Sequence, residues 1–522
     1  MFFNSIDFLV FISIFFALYF VIKGLRRLIL CLVASYIFYG AWDWRFLSLI
    51  VLSTCIDFYV GRQISVTENQ TVRKRLLLLS IVANLGFLAF FKYFNFFIDS
   101  FKDMLITSGL ETNMSTLNII LPMGISFYTF QSMSYSIDIY RKQLKAENNI
   151  LVFATYISFF PQLVAGPIVR AADFLPQFSM DKKFDWDRII RGLSQVLWGF
   201  FKKVAIADSL ALYVDLCFDA PGTYGSLHLI IGVIFYAFQI YCDFSGYSDI
   251  AIGLAKMMGF DFPKNFRTPY FSKNFSEFWE RWHISLSSWL RDYLYIPLGG
   301  NRNGSLGSYF FLGLFFAITL MITQWWWLLI PAFILIAILF WYKNQGAKQE
   351  AKTFTYLNLM VTMLLGGLWH GAAWTYLFWG FLHGSYLIIQ RLLSAPFNRF
   401  LNALRVPNFI QNFIAMAIVF FATCFAWIFF RASSFEDAFT IINSITSLAD
   451  FNWSAVLHKL IIVKCAILLV ILLGVEIFSQ QIDFESLLVR SPVFRIASFA
   501  MILWIIAFFG TFGSNAFIYF QF

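Results

Sequence analysis

The stretch Thr355–Gln390, TYLNLMVTMLLGGLWHGAAWTYLFWGFLHGSYLIIQ, contains no Asp, Glu, Lys or Arg. As one helix it would be about 54 Å long at 1.5 Å per residue, far more than a hydrocarbon layer of roughly 30 Å needs. Its flanks decide the shape. Lys352 precedes it, and Arg391, Arg399 and Arg405 follow it with no acid before Pro407. Basic residues mark the cytoplasmic side, so both ends belong there and the chain goes in and returns. The turn is expected near Gly366–Ala373, where Gly366, Gly367 and Gly371 permit a break and close helix contact. Each limb is then just short of a comfortable crossing, and His370 falls deep in the membrane at the break. Irregular backbone at that depth is tolerated only inside protein or along a watery cavity.

The rest of the chain agrees with a membrane solvent. Of 522 residues 60% are hydrophobic and only 13% charged, against roughly 45–50% and 25% in soluble domains. Several uncharged runs exceed 18 residues, and the short alternating segments of a barrel are absent. The expected fold is an all-α polytopic membrane protein, one unit over 1–522 with about 11–13 transmembrane helices and additional re-entrant or interfacial ones. The formal charge of +9 does not point to nucleic acid, because Lys and Arg gather in short loops where they set topology. The six cysteines lie scattered in apolar runs without CxxC spacing, which suits reduced core residues and neither disulfides nor a metal site.

Charge gives the early topology. The N-terminal run lacks a basic leader and a small-residue cleavage site, so it reads as a retained first span. Lys23, Arg26 and Arg27 then place the first loop inside. Spans at about Leu28–Trp42, Leu47–Val60, Leu76–Ile98 and Ile119–Tyr140 follow in alternation. Arg170–Gly225 mixes aromatic, basic and acidic residues and suits amphipathic interfacial helices. Further spans are expected at Phe409–Phe430, Leu457–Phe478 and Phe494–Thr511.

Phe262–Gly304 differs from everything around it. Lys264, Arg267, Lys273, Arg281, Arg291 and Arg302 face only Glu277, Glu280 and Asp292, with Trp, Phe and Tyr between. An interfacial aromatic belt and a cytoplasmic wall for an anionic substrate explain that composition equally well. Beyond it, Ser308–Tyr342 is almost wholly apolar between Arg302 and Lys343, and reads as an inserted hydrophobic hairpin turning near Gln324. Packing against lipid is its simpler role; docking of a partner subunit is the other.

Five histidines are candidates for chemistry. His228 and His458 fall near span ends and read as satisfied core residues. His383 lies across the break from His370, so helical spacing cannot place it. His370 stands out, because an ionisable group in mid-membrane is expected to be functional and imidazole is suited to take a proton near neutral pH. His283 is the second candidate, on an expected continuous helix where Trp279, Leu286 and Leu290 share its stripe. Ser287, one turn away, is placed to hydrogen-bond its ring. Neither a serine triad, a cysteine elbow, a phosphate loop nor HxxxH metal spacing is present. General-base activation of a hydroxyl by His370 is the simplest chemistry left.

LWHGAAW together with FWERWHISLSSWLRDYLYIPLGGNR resembles the membrane-bound O-acyltransferase (MBOAT) family, and within it the bacterial alginate O-acetyltransferase-like group. LPMGISFYTFQSMSYSIDIYR, SFFPQLVAGPIVR, FSGYSDIAIGLAKMMGFDFPKNFRTPY, WIFFRA and FIYFQF match as well, in family order from about Leu121 onward. The resemblance implies a central catalytic tunnel, with His370 as the family's buried histidine and His283 as its second active-site position. It implies a multi-pass protein of the bacterial inner membrane. The implied activity carries an acyl group from a cytoplasmic thioester, acetyl-CoA, to hydroxyls of an exported or cell-wall polysaccharide. An extracytoplasmic SGNH-type partner would relay or complete the transfer. Lys264, Arg267, Arg281 and Arg291, with Trp282 and Ser287, would then face the donor. The insertion Ser308–Tyr342 departs from the group's pattern.

Two rivals stand beside this reading. A D-alanyl transferase for teichoic acid shares the family, since the acyl group is not legible. A polysaccharide or lipid transporter is the rival of another class, but it would be expected to carry paired broken helices, and only one is visible. A structural scaffold would leave a membrane-buried His370 unexplained.

Overall fold

The computed structural model describes all residues except 111, 181, 303, 324–346, 449–450, 454–455, 457, 513–516 and 519–522. The described residues form helices and connecting loops, with no strand among them. Six stretches are long and apolar enough to cross a membrane: Gly24–Val66, Gln70–Thr107, Ser226–Met257, Asn408–Arg431, Lys459–Ser479 and Pro492–Phe509. That count is a floor, because Gly24–Val66 at 43 residues holds two helices, Gly24–Asp43 and Leu47–Val66. The chain is an integral, multi-pass membrane protein. The three late spans expected from sequence appear within two residues or so of their expected ends. Leu306–Thr323 is a helix, and residues 324–346, which hold the expected turn near Gln324 and the rest of the expected hairpin, lie outside the described ones.

The chain forms two compact units. One comprises Met1–Leu88, Pro122–Thr268 and Glu436–Phe522; the other comprises Ala89–Leu121 and Pro269–Phe435. In the first unit, helix Ile125–Tyr140 starts later than the expected Ile119. Gly124 takes a left-handed conformation at φ 73°, and a Cβ there would sit 2.5 Å from the Leu163 carbonyl oxygen. Every residue of Ile125–Ser136 is buried, many of them Ser, Thr or Gln. Small polar side chains let helices approach closely and bond across the contact. Their focus is Asp57 on helix Leu47–Val66, which accepts from Asn84 Nδ2 at 2.7 Å and Ser136 Oγ at 3.0 Å, and from Ser80 and Ser132.

The long helix Ser226–Met257 is buried over most of its length. It packs antiparallel on Trp186–Phe200 through glycine pairs. A Cβ on Gly199 would meet the Gly246 carbonyl at 2.6 Å, and one on Gly253 the Gly192 carbonyl at 2.5 Å. Below this contact Lys203 Nζ reaches Asp208 at 2.8 Å and Asp243 at 2.6 Å, and Asp243 also accepts from the Ile518 amide at 2.8 Å. A buried cation is tolerable here because two carboxylates flank it, one of them further held by a backbone amide.

In the second unit the opening stretch is two helices, Ala347–His370 and Trp374–Ala403, separated by Gly371–Ala373. They run antiparallel in backbone contact. A Cβ on Gly367 would meet the Tyr376 carbonyl at 2.3 Å, and one on Gly380 the Met363 carbonyl at 2.3 Å. Neither helix is among the six apolar spans. Asn408–Arg431 packs beside the pair.

Candidate active site

His370 is the last residue of its helix, and the end is held from outside. A π-helical turn, Ala89–Tyr93, brings two successive side chains to it. Lys92 Nζ donates to the carbonyls of Trp369 at 2.6 Å and His370 at 3.1 Å, and Tyr93 OH donates to that of Leu368 at 2.6 Å. A helix leaves its last four carbonyls unpaired, and three of them find partners this way. The other side of the break is also pinned, since Trp374 Nε1 donates to Ser100 Oγ at 3.2 Å.

His283 is placed differently from the sequence expectation. The segment is not one helix: Phe275–Arg281 and Ile284–Leu290 are separate, and His283 lies between them with φ 42°. The first helix starts on a reciprocal cap, with Asn274 Oδ1 accepting from the Glu277 amide at 2.8 Å and Glu277 accepting from the Lys273 amide at 2.7 Å. It stops where Trp282 is buried, stacked on Phe278 at 5.6 Å and tilted against Trp427 at 5.1 Å. Left-handed backbone is costly for a non-glycine residue, and this packing holds it there. Ser287 does not bond the ring; its hydroxyl donates to the Trp282 carbonyl at 3.1 Å.

The two helix breaks bring the imidazoles together. The rings of His283 and His370 stand 6.5 Å apart, centre to centre, with Trp369 5.9 Å from the first and 5.0 Å from the second. His370 meets Trp379 edge-on at 5.1 Å and Phe430 at 5.3 Å. Both histidines are buried, at 0% and 3% exposure. Edge-to-face aromatic packing fixes ring orientation. With hydrogen bonds of about 2.8–3.0 Å, two rings at this separation can both reach one small oxygen-bearing group between them.

Behind Trp379 lies a third histidine that the sequence left unplaced. His383 is fully buried, 4.8 Å from Trp379 and 5.1 Å from Trp279, ring to ring. Among the described residues neither of its ring nitrogens has a hydrogen-bond partner, nor do the indole nitrogens of Trp279 and Trp379.

The expected donor-side residues fall in both units. Lys264 and Arg267 are exposed and belong to the first unit. Arg281 pairs with Glu277 at 2.6 Å, and exposed Arg291 with Asp292 at 2.7 Å. Both guanidinium groups therefore have a neighbouring carboxylate. Trp282 works as packing beneath His283. His228 and His458 sit at helix starts; His228 is buried as expected of a core residue, whereas His458 is exposed, because its position ahead of the Lys459–Ser479 helix leaves it outside the packed interior. Among the described residues no three His, Cys, Asp or Glu side chains converge as a metal site requires. Sequence reading missed Lys92 and Tyr93. The available signal was that Lys92 is the sole charged residue between Leu76 and Ile98.

Known proteins are similar to this sequence. The model of the membrane-bound O-acyltransferase family matches residues 42–341, ending before the His370 helix. The probable alginate O-acetylase AlgI of Pseudomonas putida is 38% identical over 455 residues, covering 86% of this chain and 81% of that protein. The peptidoglycan O-acetyltransferase of Helicobacter pylori is 33% identical over 444 residues, 80% of this chain and 73% of its own. The teichoic acid D-alanyltransferase of Bacillus subtilis is 26% identical over 329 residues, 61% of this chain and 71% of its own.

Proposed function

The chain belongs to the membrane-bound O-acyltransferase family, and from that premise we propose that it moves acetyl groups from acetyl-CoA to hydroxyls of an exported or cell-wall polysaccharide. The donor would enter from the cytoplasm in a bacterial inner membrane. The observation that carries the reading is the juxtaposition of two buried imidazoles, each at a helix break, in an aromatic enclosure.

His370 is the base. Its neutral imidazole takes the proton of the acceptor hydroxyl as the oxygen attacks the thioester carbonyl. The carbonyl π pair moves onto oxygen, then returns as the C–S bond breaks. The thiolate leaves with the proton that His370 carried. His283 orients the hydroxyl or donates to the oxyanion. General-base assistance of this kind contributes about 10²–10⁴ in rate. Exclusion of water by the Trp and Phe rings protects the thioester from hydrolysis.

The acceptor is either the glycan itself or a serine on an extracytoplasmic, SGNH-type partner that relays the acetyl group. The relatives of higher identity are named as O-acetylases, and the D-alanyltransferases are more distant, which favours acetyl over D-alanyl. The match to the acyltransferase family and to proteins named for O-acetylation disfavours the transporter alternative. Replacing His370 by Ala is expected to abolish ester-bound acetate on the exported polymer with the protein at its normal membrane level. Acetylation that persists in that variant would sink the assignment.

A further inference from the structure

We propose that Lys92 is a positioning residue of the acyl transfer: its ammonium, seated on the carbonyls of Trp369 and His370, fixes the helix end from which the His370 imidazole projects. The inference rests on His370 as the base, and adds to it a group from a distant part of the sequence.

Three observations support it. First, Lys92 stands alone as a charge between Leu76 and Ile98. Charge within a membrane segment is costly, so its presence there needs a reason. Second, the ammonium lies 2.6 Å from the Trp369 carbonyl and 3.1 Å from that of His370, and 5.9 Å from the Trp369 ring centre. A cation at a helix C-terminus meets the negative end of the macrodipole, where it is most stabilising. Third, Lys92 and Tyr93 are sequence neighbours, and both reach the same helix end from a π turn. A π turn inside an otherwise α-helical stretch is rare and is found frequently at functional sites.

A plain structural cap would not need this. Gly371 follows His370, and a left-handed glycine there could close the helix with backbone bonds alone. Gly371 is not among the residues with positive φ. The chain instead uses a charged side chain and a phenol to hold successive carbonyls of Leu368, Trp369 and His370. That arrangement limits rotation and translation of the final turn. A shift of about 1 Å at a reacting group can lower a rate roughly 10²-fold.

The test uses full-length chain in producing cells fed [14C]acetate as the probe, with ester-bound label in the exported polymer counted per folded protein. Folded protein is measured by size-exclusion chromatography of a fluorescent fusion. Lys92→Met is expected to reduce label per folded molecule about 30–100-fold, Tyr93→Phe about 3–10-fold, and Lys92→Arg to recover most of the wild-type value. Lys92→Met that labels within threefold of wild type per folded molecule, while His370→Ala is silent, would overturn the inference and leave the base assignment standing. A smaller folded pool with unchanged label per molecule overturns it too, as the mark of a cap and nothing more. If His370→Ala labels normally, the base assignment fails and the role given to Lys92 falls with it.

Discussion

His283 and His370 hold their imidazoles 6.5 Å apart, and each stands at a helix end. One precedes a short helix in left-handed backbone; the other ends a long one. The pairing sets an expectation for His283. Ala at 283 removes the ring and leaves a strained backbone, so activity should fall about 10²-fold or more. Asn at 283 tolerates left-handed φ and can still donate and accept, so it should retain several times more activity than Ala. Ester-bound acetate per folded protein in the two variants decides. Equal loss in both would mean that the imidazole ring itself is required.

The close approach of the two hairpin helices gives a second expectation. A Cβ at Gly380 would lie 2.3 Å from the Met363 carbonyl oxygen, which is backbone and cannot swing away. Gly380→Ala must therefore push the helices apart, at a cost of about 1–3 kcal/mol. Trp379, the neighbouring residue against His370, would move with it. Gly474 is the contrast, in the middle of Lys459–Ser479 with nothing within 4 Å of a Cβ. Gly474→Ala should be neutral or raise stability by about 0.5–1 kcal/mol. Heating curves of detergent-solubilised protein, read by size exclusion, would show opposite shifts; a fall at Gly474 comparable to that at Gly380 would contradict the packing argument.

Much of this was legible before any coordinates, and the reasons are specific. The hairpin at Gly371–Ala373 follows from charges outside Thr355–Gln390 and glycines within it, because the bilayer enforces both rules. The start of Ile125–Tyr140 was also written in the chain. Pro122 and Gly124 in LPMG interrupt a helix, but the apolar residues before them extended the expected span to Ile119. The break at His283 was not legible. SEFWERWHISLSSWL has a continuous helical pattern, and the left-handed backbone depends on Trp282 packing against Trp427, distant in sequence. The same holds for Lys92, whose partners are the carbonyls of Trp369 and His370. No side-chain pattern records a bond to a backbone oxygen. Around Phe262–Gly304 the acids counted in the sequence turn out to be direct partners of two of the cations, Glu277 of Arg281 and Asp292 of Arg291, a pairing that composition alone does not specify.

Asp57 should be among the most sensitive structural positions in the first unit. It gathers Ser80, Asn84, Ser132 and Ser136 from two other helices. Asp57→Ala would leave four buried donors without their acceptor. Each unsatisfied group costs about 1–3 kcal/mol, so the sum rivals the stability of a whole domain. The expected result is protein that fails to accumulate in the membrane. Asp57→Asn, which keeps one acceptor oxygen, should accumulate at an intermediate level. Immunoblots of membranes from cells expressing each variant would check the order, and wild-type levels of Asp57→Ala would refute it.

His383 separates stability from activity. It is fully buried, and among the described residues neither ring nitrogen has a hydrogen-bond partner. Such orphaned atoms each cost about 1–3 kcal/mol, and an apolar side chain of similar size removes that cost. His383→Leu is therefore expected to raise the midpoint of thermal unfolding. Retention of a costly group beside Trp379, which itself touches His370, points to use in the reaction cycle. The same variant should then lose at least tenfold in acetyl transfer, while Gln at 383, which keeps polar atoms, should lose less. Thermal midpoints and ester-bound acetate measured on one set of membranes test both halves. A Leu variant that is more stable and fully active would show His383 to be an unneeded expense; one that is less stable would show that its nitrogens are satisfied in the working protein.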